Sequence, residues 1–117
     1  PKNFAPSIDQ FKLNGKTSRD NIKIAENTEM NTSVLIKDKD NDELTYEWVV
    51  IPESTDKKTG GDAERTPKPL RGIFKKGDKK KNKVMFKAPK KGEYRLFLFV
   101  HDGNGNVATG NISFKVI

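Results

Sequence analysis

The sequence predicts an all-β domain of seven to eight antiparallel strands in two packed sheets, with one long connecting excursion over about 52–82. Three observations predict it. Short runs of alternating apolar and polar residues recur roughly every ten to fifteen positions, and clusters of Gly, Asn, Asp and Pro separate them. Nowhere do apolar residues hold an i, i+3, i+4, i+7 register for long, so the helical period is absent.

The expected strands follow in order. Ser7–Leu13 carries Ile8, Phe11 and Leu13; Ile22–Ile24 is a short β-branched pair; Thr32–Lys37 holds Val34, Leu35 and Ile36. Leu44–Ile51 and Tyr94–His101 are the two strongest, each apolar at every second position. Leu70–Phe74 is a weak candidate, Lys83–Lys87 has Val84 and Phe86 in register, and Val107–Val116 ends on Ile112, Phe114 and Val116. Between Pro52 and Asn82 the chain carries Gly60, Gly61, Pro67 and Pro69, with only Leu70, Ile73 and Phe74 as apolar anchors. A connection of that length is expected to be a functional cover or an irregular excursion.

The 117 residues fit one domain, 1–117, without an internal repeat or dividing linker. A fold of this size hides roughly 65% of the surface of its unfolded chain, enough for a core without covalent staples. The apolar fraction is 32%, but those residues cluster as they do in folded chains. With no cysteine, disulfides and thiolate metal or redox sites are excluded. No apolar run reaches the length of a membrane-spanning helix, and no membrane insertion is expected. A chain opening on Pro1 has the look of a module excised from a larger multidomain protein.

Twenty-three basic against sixteen acidic residues give a formal charge of +7. Much of the excess lies in Lys75, Lys76, Lys79, Lys80, Lys81, Lys83, Lys87, Lys90 and Lys91. Phosphate-binding surfaces favour Arg with interleaved aromatics, whereas this run is nearly all Lys around Gly77, Asp78 and Asn82. A solvated turn is the expectation, and no nucleic-acid partner.

In Leu44–Ile51, alternation puts Leu44, Tyr46, Trp48 and Val50 on one face and Thr45, Glu47, Val49 and Ile51 on the other. Trp48 on a central strand, followed much later by Tyr94 opening another, is the spacing of an immunoglobulin-like sandwich, with a buried Trp and a tyrosine corner. Placing Tyr94, Leu96, Leu98 and Val100 inward leaves Arg95, Phe97, Phe99 and His101 outward. Phe97 and Phe99 beside Val49 and Ile51 make an apolar patch that a lone domain would not display. Its cover is the excursion folding back with Ile73 and Phe74, a neighbouring domain, or a ligand such as a glycan stacking on the rings. Burial of two Phe side chains would contribute about 3–6 kcal/mol.

Asp38, Asp40 and Asp42 alternate before the Trp strand, and Asp102 and Asn104 follow the Tyr strand. In this topology both loops share one end of the sandwich, where hard oxygen ligands for calcium would converge. The pattern is not an EF-hand, since Glu43 stands where Gly is needed and Val49 where the bidentate Glu belongs. Carboxylates in turns also bind backbone N–H groups, the plainer reading. No cofactor is expected, with calcium the one ion left open.

The single His101 has no cysteine or assigned serine nucleophile beside it, and no GxSxG, phosphate-binding, dinucleotide-binding or HExxH string occurs. Catalysis is not expected.

The strings DKDNDELTYEWVV, APKKGEYRLFLFVHDGNGN and ATGNISFKV resemble polycystic-kidney-disease-type and cadherin-like sandwiches of bacterial surface proteins. There, an Asp-rich turn precedes a Thr-Tyr-x-Trp strand, and Gly-x-Tyr opens a strand ending in Asp-Gly. Val49-Val50-Ile51-Pro52 departs from the polycystic-kidney-disease pattern, which has Asp-Phe-Gly-Asp after the Trp. More narrowly, NFAPSIDQFKLNGK, PEST and YRLFLFVHDGNGN resemble accessory domains appended to secreted bacterial glycan-processing enzymes. The resemblance implies a monomeric, non-catalytic accessory module, secreted or at the bacterial cell surface, whose partners are polysaccharide, an adjacent catalytic domain, or both. The expected ligand-binding residues are Phe97, Phe99, His101, Glu47, Arg95 and Val49, and the alternative is a structural spacer or adhesion domain that only packs against its neighbours.

Overall fold

The computed structural model describes residues 5–38, 43–53 and 68–117. Among the described residues seven strands are formed: β1 Ser7–Leu13, β2 Ile22–Ile24, β3 Glu29–Lys37, β4 Thr45–Pro52, β5 Lys83–Lys87, β6 Gly92–His101 and β7 Val107–Val116. They make a three-stranded sheet, β1-β3-β5, facing a four-stranded sheet, β2-β7-β6-β4. All pairings are antiparallel except β2 with β7. This is the expected immunoglobulin-like sandwich.

Alternation explains the core. Met30, Thr32 and Val34 of β3 and Val84 and Phe86 of β5 point inward from one sheet, and Tyr94, Leu96, Leu98 and Val100 of β6 from the other. Ile112, Phe114 and Val116 of β7 and Trp48 and Val50 of β4 complete the interior. The one inward hydroxyl on β3, on Thr32, donates to the Val84 carbonyl at 3.1 Å, so its burial leaves no unmet donor.

In β1 the alternation slips at a bulge between Ile8 and Gln10, which lets Ile8, Phe11 and Leu13 all pack against the core. Gly110 on β7 receives them. A Cβ there would lie 3.1 Å from Phe11 Cδ2 and 3.2 Å from Ile8 Cδ1, so a larger residue would need both side chains to give way by a few tenths of an ångström. Just beyond β1, Asn14 and Gly15 take positive φ in a two-residue turn closed by Leu13 and Lys16.

Three expectations are corrected. Leu70–Phe74 is not a strand. Gly72 sits at φ 75°, which breaks any extended run, and Leu70, Ile73 and Phe74 instead pack against the core, with Phe74 tilted on Phe86 at 5.2 Å. Ile73 and Phe74 therefore face the interior and are not offered to Phe97 and Phe99. Among the described residues Trp48 lies on an edge strand, not a central one, because β4 pairs only with β6 there. That edge is partly occupied, as the Leu70 N–H donates to the Val50 carbonyl at 2.9 Å and a 3-10 turn, Lys76–Lys80, packs alongside β4. The lysine-rich stretch is the expected turn with its lysines exposed to solvent, and its backbone is docked against β4.

Candidate functional site

Trp48 and Tyr94 are both buried in the shared interior, which turns the alternate residues of β4 and β6 outward. On that outer face Phe97 pairs with Val49 and Asn111, and Phe99 with Glu47 and Thr109. The two rings lie nearly parallel, 10° apart with centroids at 6.3 Å. Both are half-buried, as are Val49 and Ile51, so the four form an apolar strip across β6 and the edge strand β4.

Polar groups close both ends of the strip. At one end Arg95 gives Nε and Nη2 to Glu53 Oε1, each at 2.6 Å, and Nη1 to Asn111 Oδ1 at 2.7 Å. Its fork is committed within the domain. At the other end His101 Nε2 stands 3.5 Å from Glu47 Oε1, an ion pair when the imidazole is protonated, and both side chains are well exposed. Of the three polar residues expected on this face, Glu47 and His101 are exposed, whereas Arg95 is paired within the domain.

Glu47 and His101 also border a cleft of about 420 Å³ that alternation does not reveal. It opens where the 3-10 turn docks on the edge of β4, and Tyr46, Trp48, Phe74, Lys76 and Lys79 line it. Tyr46, expected in the core, is only half-buried and stacks on Trp48 at 6.3 Å and 17°. Burial pushes its hydroxyl pKa up, so the phenol stays a neutral donor. Trp48 is anchored from behind, its Nε1 donating to the Lys81 carbonyl at 3.2 Å. Sequence periodicity misses this cleft because its two walls are far apart in the chain.

At the end of the sandwich where β6 leaves for β7, Asp102 is buried and shapes the turn. Its carboxylate accepts the N–H groups of Asn104 at 2.7 Å and Asn106 at 3.1 Å and the Asn106 side-chain amide at 2.8 Å. Burial alone would raise the pKa of this carboxyl, but the hydrogen bonds from Asn106 and Asn104 outweigh it and hold the pKa below the usual carboxylate value. Asn104 also turns its amide back to the Asp102 carbonyl at 3.4 Å. Asp38 sits just past β3 at the same end, whereas Asp40 and Asp42 lie outside the described residues. Among the described residues no three His, Cys, Asp or Glu side chains gather as a metal site would need.

Tyr94 supplies the feature that decides the architecture. Its hydroxyl donates to the Lys90 carbonyl at 2.6 Å, four residues upstream, while its ring stacks on Phe114 at 5.6 Å. The fold is an immunoglobulin-like β-sandwich. Among solved structures it is similar to the PKD domain of an M14-like peptidase from a Thermoplasmatales archaeon, with a TM-score of 0.53, 17% identity and 98% of each chain covered. No protein-family model matches the chain, and no curated protein does. No helix among the described residues is long and apolar enough to cross a membrane.

Proposed function

We propose that this PKD-like domain is a non-catalytic accessory module of a larger extracellular protein acting on polysaccharide, and that it engages glycan through the outer face of β4-β6-β7 and the adjoining cleft. The observation that carries the reading is the continuity of the two. The Phe97/Phe99 strip runs through the exposed Glu47–His101 pair into a cleft with Tyr46 at its side, offering apolar surface for sugar C–H groups and polar groups for hydroxyls in sequence. The likeness to a domain carried by a peptidase supports the accessory part of the reading.

Affinity electrophoresis through gels containing soluble β-glucans, mannans or algal polysaccharides tests it. The expected result is retardation in at least one gel, lost in Tyr46→Ala and in Phe97→Ala/Phe99→Ala. Unretarded migration in every gel overturns glycan binding.

One observation favours a second reading, a spacer that packs this same face against the next domain of its parent. Arg95 is fully paired and Trp48 is buried, which removes two of the groups sugar sites use most. A spacer would show no retardation, but Phe99→Asp would weaken its docking on the neighbouring domain.

A further inference from the structure

On the far side of the 3-10 turn lies a second groove, of about 550 Å³, between the turn and the β3–β5 pair. Lys75, Lys81 and Lys83 line it, with Asn31 and Ser33 of β3 and the half-exposed Met85 of β5. Among the described residues the only acid in its wall is Asp78. That side chain is buried and its Oδ2 accepts the Lys75 N–H at 2.9 Å, so its charge is turned toward the backbone. Of the lysines from Lys75 to Lys83, only Lys80 has an ion-pair partner among the described residues, Glu43 at 3.3 Å.

This lysine segment is not a loose solvated run. Asp78 N–H donates to the Lys75 carbonyl, Lys81 N–H to the Asp78 carbonyl, and Val34 N–H to the Asn82 carbonyl. The Trp48 indole holds the Lys81 carbonyl from the core side. Backbone pinned at these points fixes the roots of the three ammonium side chains, which lowers the entropy a ligand must offset on binding.

We propose that this groove binds a polyanionic polysaccharide, one carrying carboxylate or sulfate groups along its chain. The assignment rests on the reading of the domain as a polysaccharide module and adds a chemical class and a separate surface. Three clustered cations attract an extended anion, and the amide of Asn31 and hydroxyl of Ser33 suit the hydroxyls between its charges. Nucleic acid fits less well: among the described residues no aromatic ring lines the groove to stack a base, and no Arg offers a bidentate fork to phosphate.

Titration calorimetry with alginate, a sulfated galactan and a neutral mannan, at low and at high salt, tests the proposal. The wild-type domain is expected to bind one of the two anionic polymers, more weakly at high salt. Lys75→Glu/Lys81→Glu/Lys83→Glu is expected to weaken that binding by about tenfold to a hundredfold. Lys23→Glu/Lys90→Glu/Lys91→Glu makes the same charge change outside the groove, with Lys23 on the opposite sheet, and is expected to leave it within about twofold. Glutamine in place of glutamate, with an unchanged melting temperature, keeps the loss attributable to the lost cations.

Equal losses in the two triple variants overturn the proposal, since binding would then follow net charge alone. Tighter binding to duplex DNA or to anionic phosphatidylserine vesicles than to either polymer overturns it as well. If Phe97→Ala/Phe99→Ala abolishes anionic-polymer binding and the groove variant does not, the groove assignment fails and the module reading stands. If no polysaccharide binds, both fail together.

Discussion

The Tyr94 hydroxyl and the Lys90 carbonyl, 2.6 Å apart, tie the start of β6 to the corner that leads into it. The ring that carries the hydroxyl is itself fixed by stacking on Phe114. Tyr94→Phe keeps the ring and deletes only the donor, leaving a carbonyl unpaired in a packed corner. A loss of about 1–2 kcal/mol in urea unfolding is expected, with no change in the slope of the transition.

The same residue predicts an alkaline response. Burial first, and the negative charge of Glu26 second, raise the Tyr94 pKa above its ordinary 10.0. The unfolded chain therefore ionises first. The contribution is fully present below about pH 10 and is lost as the pH rises through the folded-state value. Over that window stability is expected to fall more steeply in the wild type than in Tyr94→Phe. Parallel pH profiles for the two would show that Tyr94 titrates in the folded state as it does in the unfolded one.

Trp48→Phe is expected to loosen the lysine turn as well as the core. It removes the bond to the Lys81 carbonyl and part of the volume between the sheets, for a combined cost of about 1–3 kcal/mol. Amide hydrogen exchange separates the two effects. Faster exchange at Lys81, whose N–H completes the turn to Asp78, is expected beyond the change seen at core amides such as Leu98. Equal acceleration at both would mean that the indole does not hold the turn.

What the sequence made legible follows from which physical rule each part obeys. Period-two alternation placed Tyr94, Leu96, Leu98 and Val100 inward and Phe97 and Phe99 outward, because β6 is regular along its length and buried on one side. The same rule fails at β1, where the bulge at Ile8–Gln10 inserts a residue, and at Leu70–Phe74, where apolar residues plug the interior without forming a strand. Alternation also says nothing about which strand is a sheet's edge, so the exposed side of β4 and the half-buried state of Tyr46 were hidden. Both grooves beside the lysine turn arise from tertiary docking across the chain, which no local pattern encodes. The Asn14-Gly15 turn, by contrast, carries a readable local signal that the strand pattern passed over.

Gly110 is expected to be intolerant of bulk. Gly110→Val would push into Phe11 and Ile8, whose nearest carbons already lie 3.1 and 3.2 Å from a Cβ built there, and a loss of about 1–3 kcal/mol is expected. Adding Ile8→Ala opens space on the contacting side. Partial recovery of the melting temperature in the double variant is the check, since a purely local strand effect would make the two losses add.

Asp102 sets the acid limit of the β6–β7 turn. Its folded-state pKa lies below the ordinary 3.8, because the hydrogen bonds from Asn106 and Asn104 overcome the opposing effect of burial. The unfolded chain therefore takes up the proton first as the pH falls. The stabilisation is complete above about pH 4 and is lost as the pH drops through the folded-state value. Asp102→Asn keeps the shape and one acceptor oxygen but has no carboxylate to protonate. It is expected to be less stable than the wild type at pH 7 and to converge with it in acid. Urea midpoints measured from pH 7 down to pH 2 test this, and a constant gap between the two proteins across that range would show that the carboxylate charge contributes nothing to the turn.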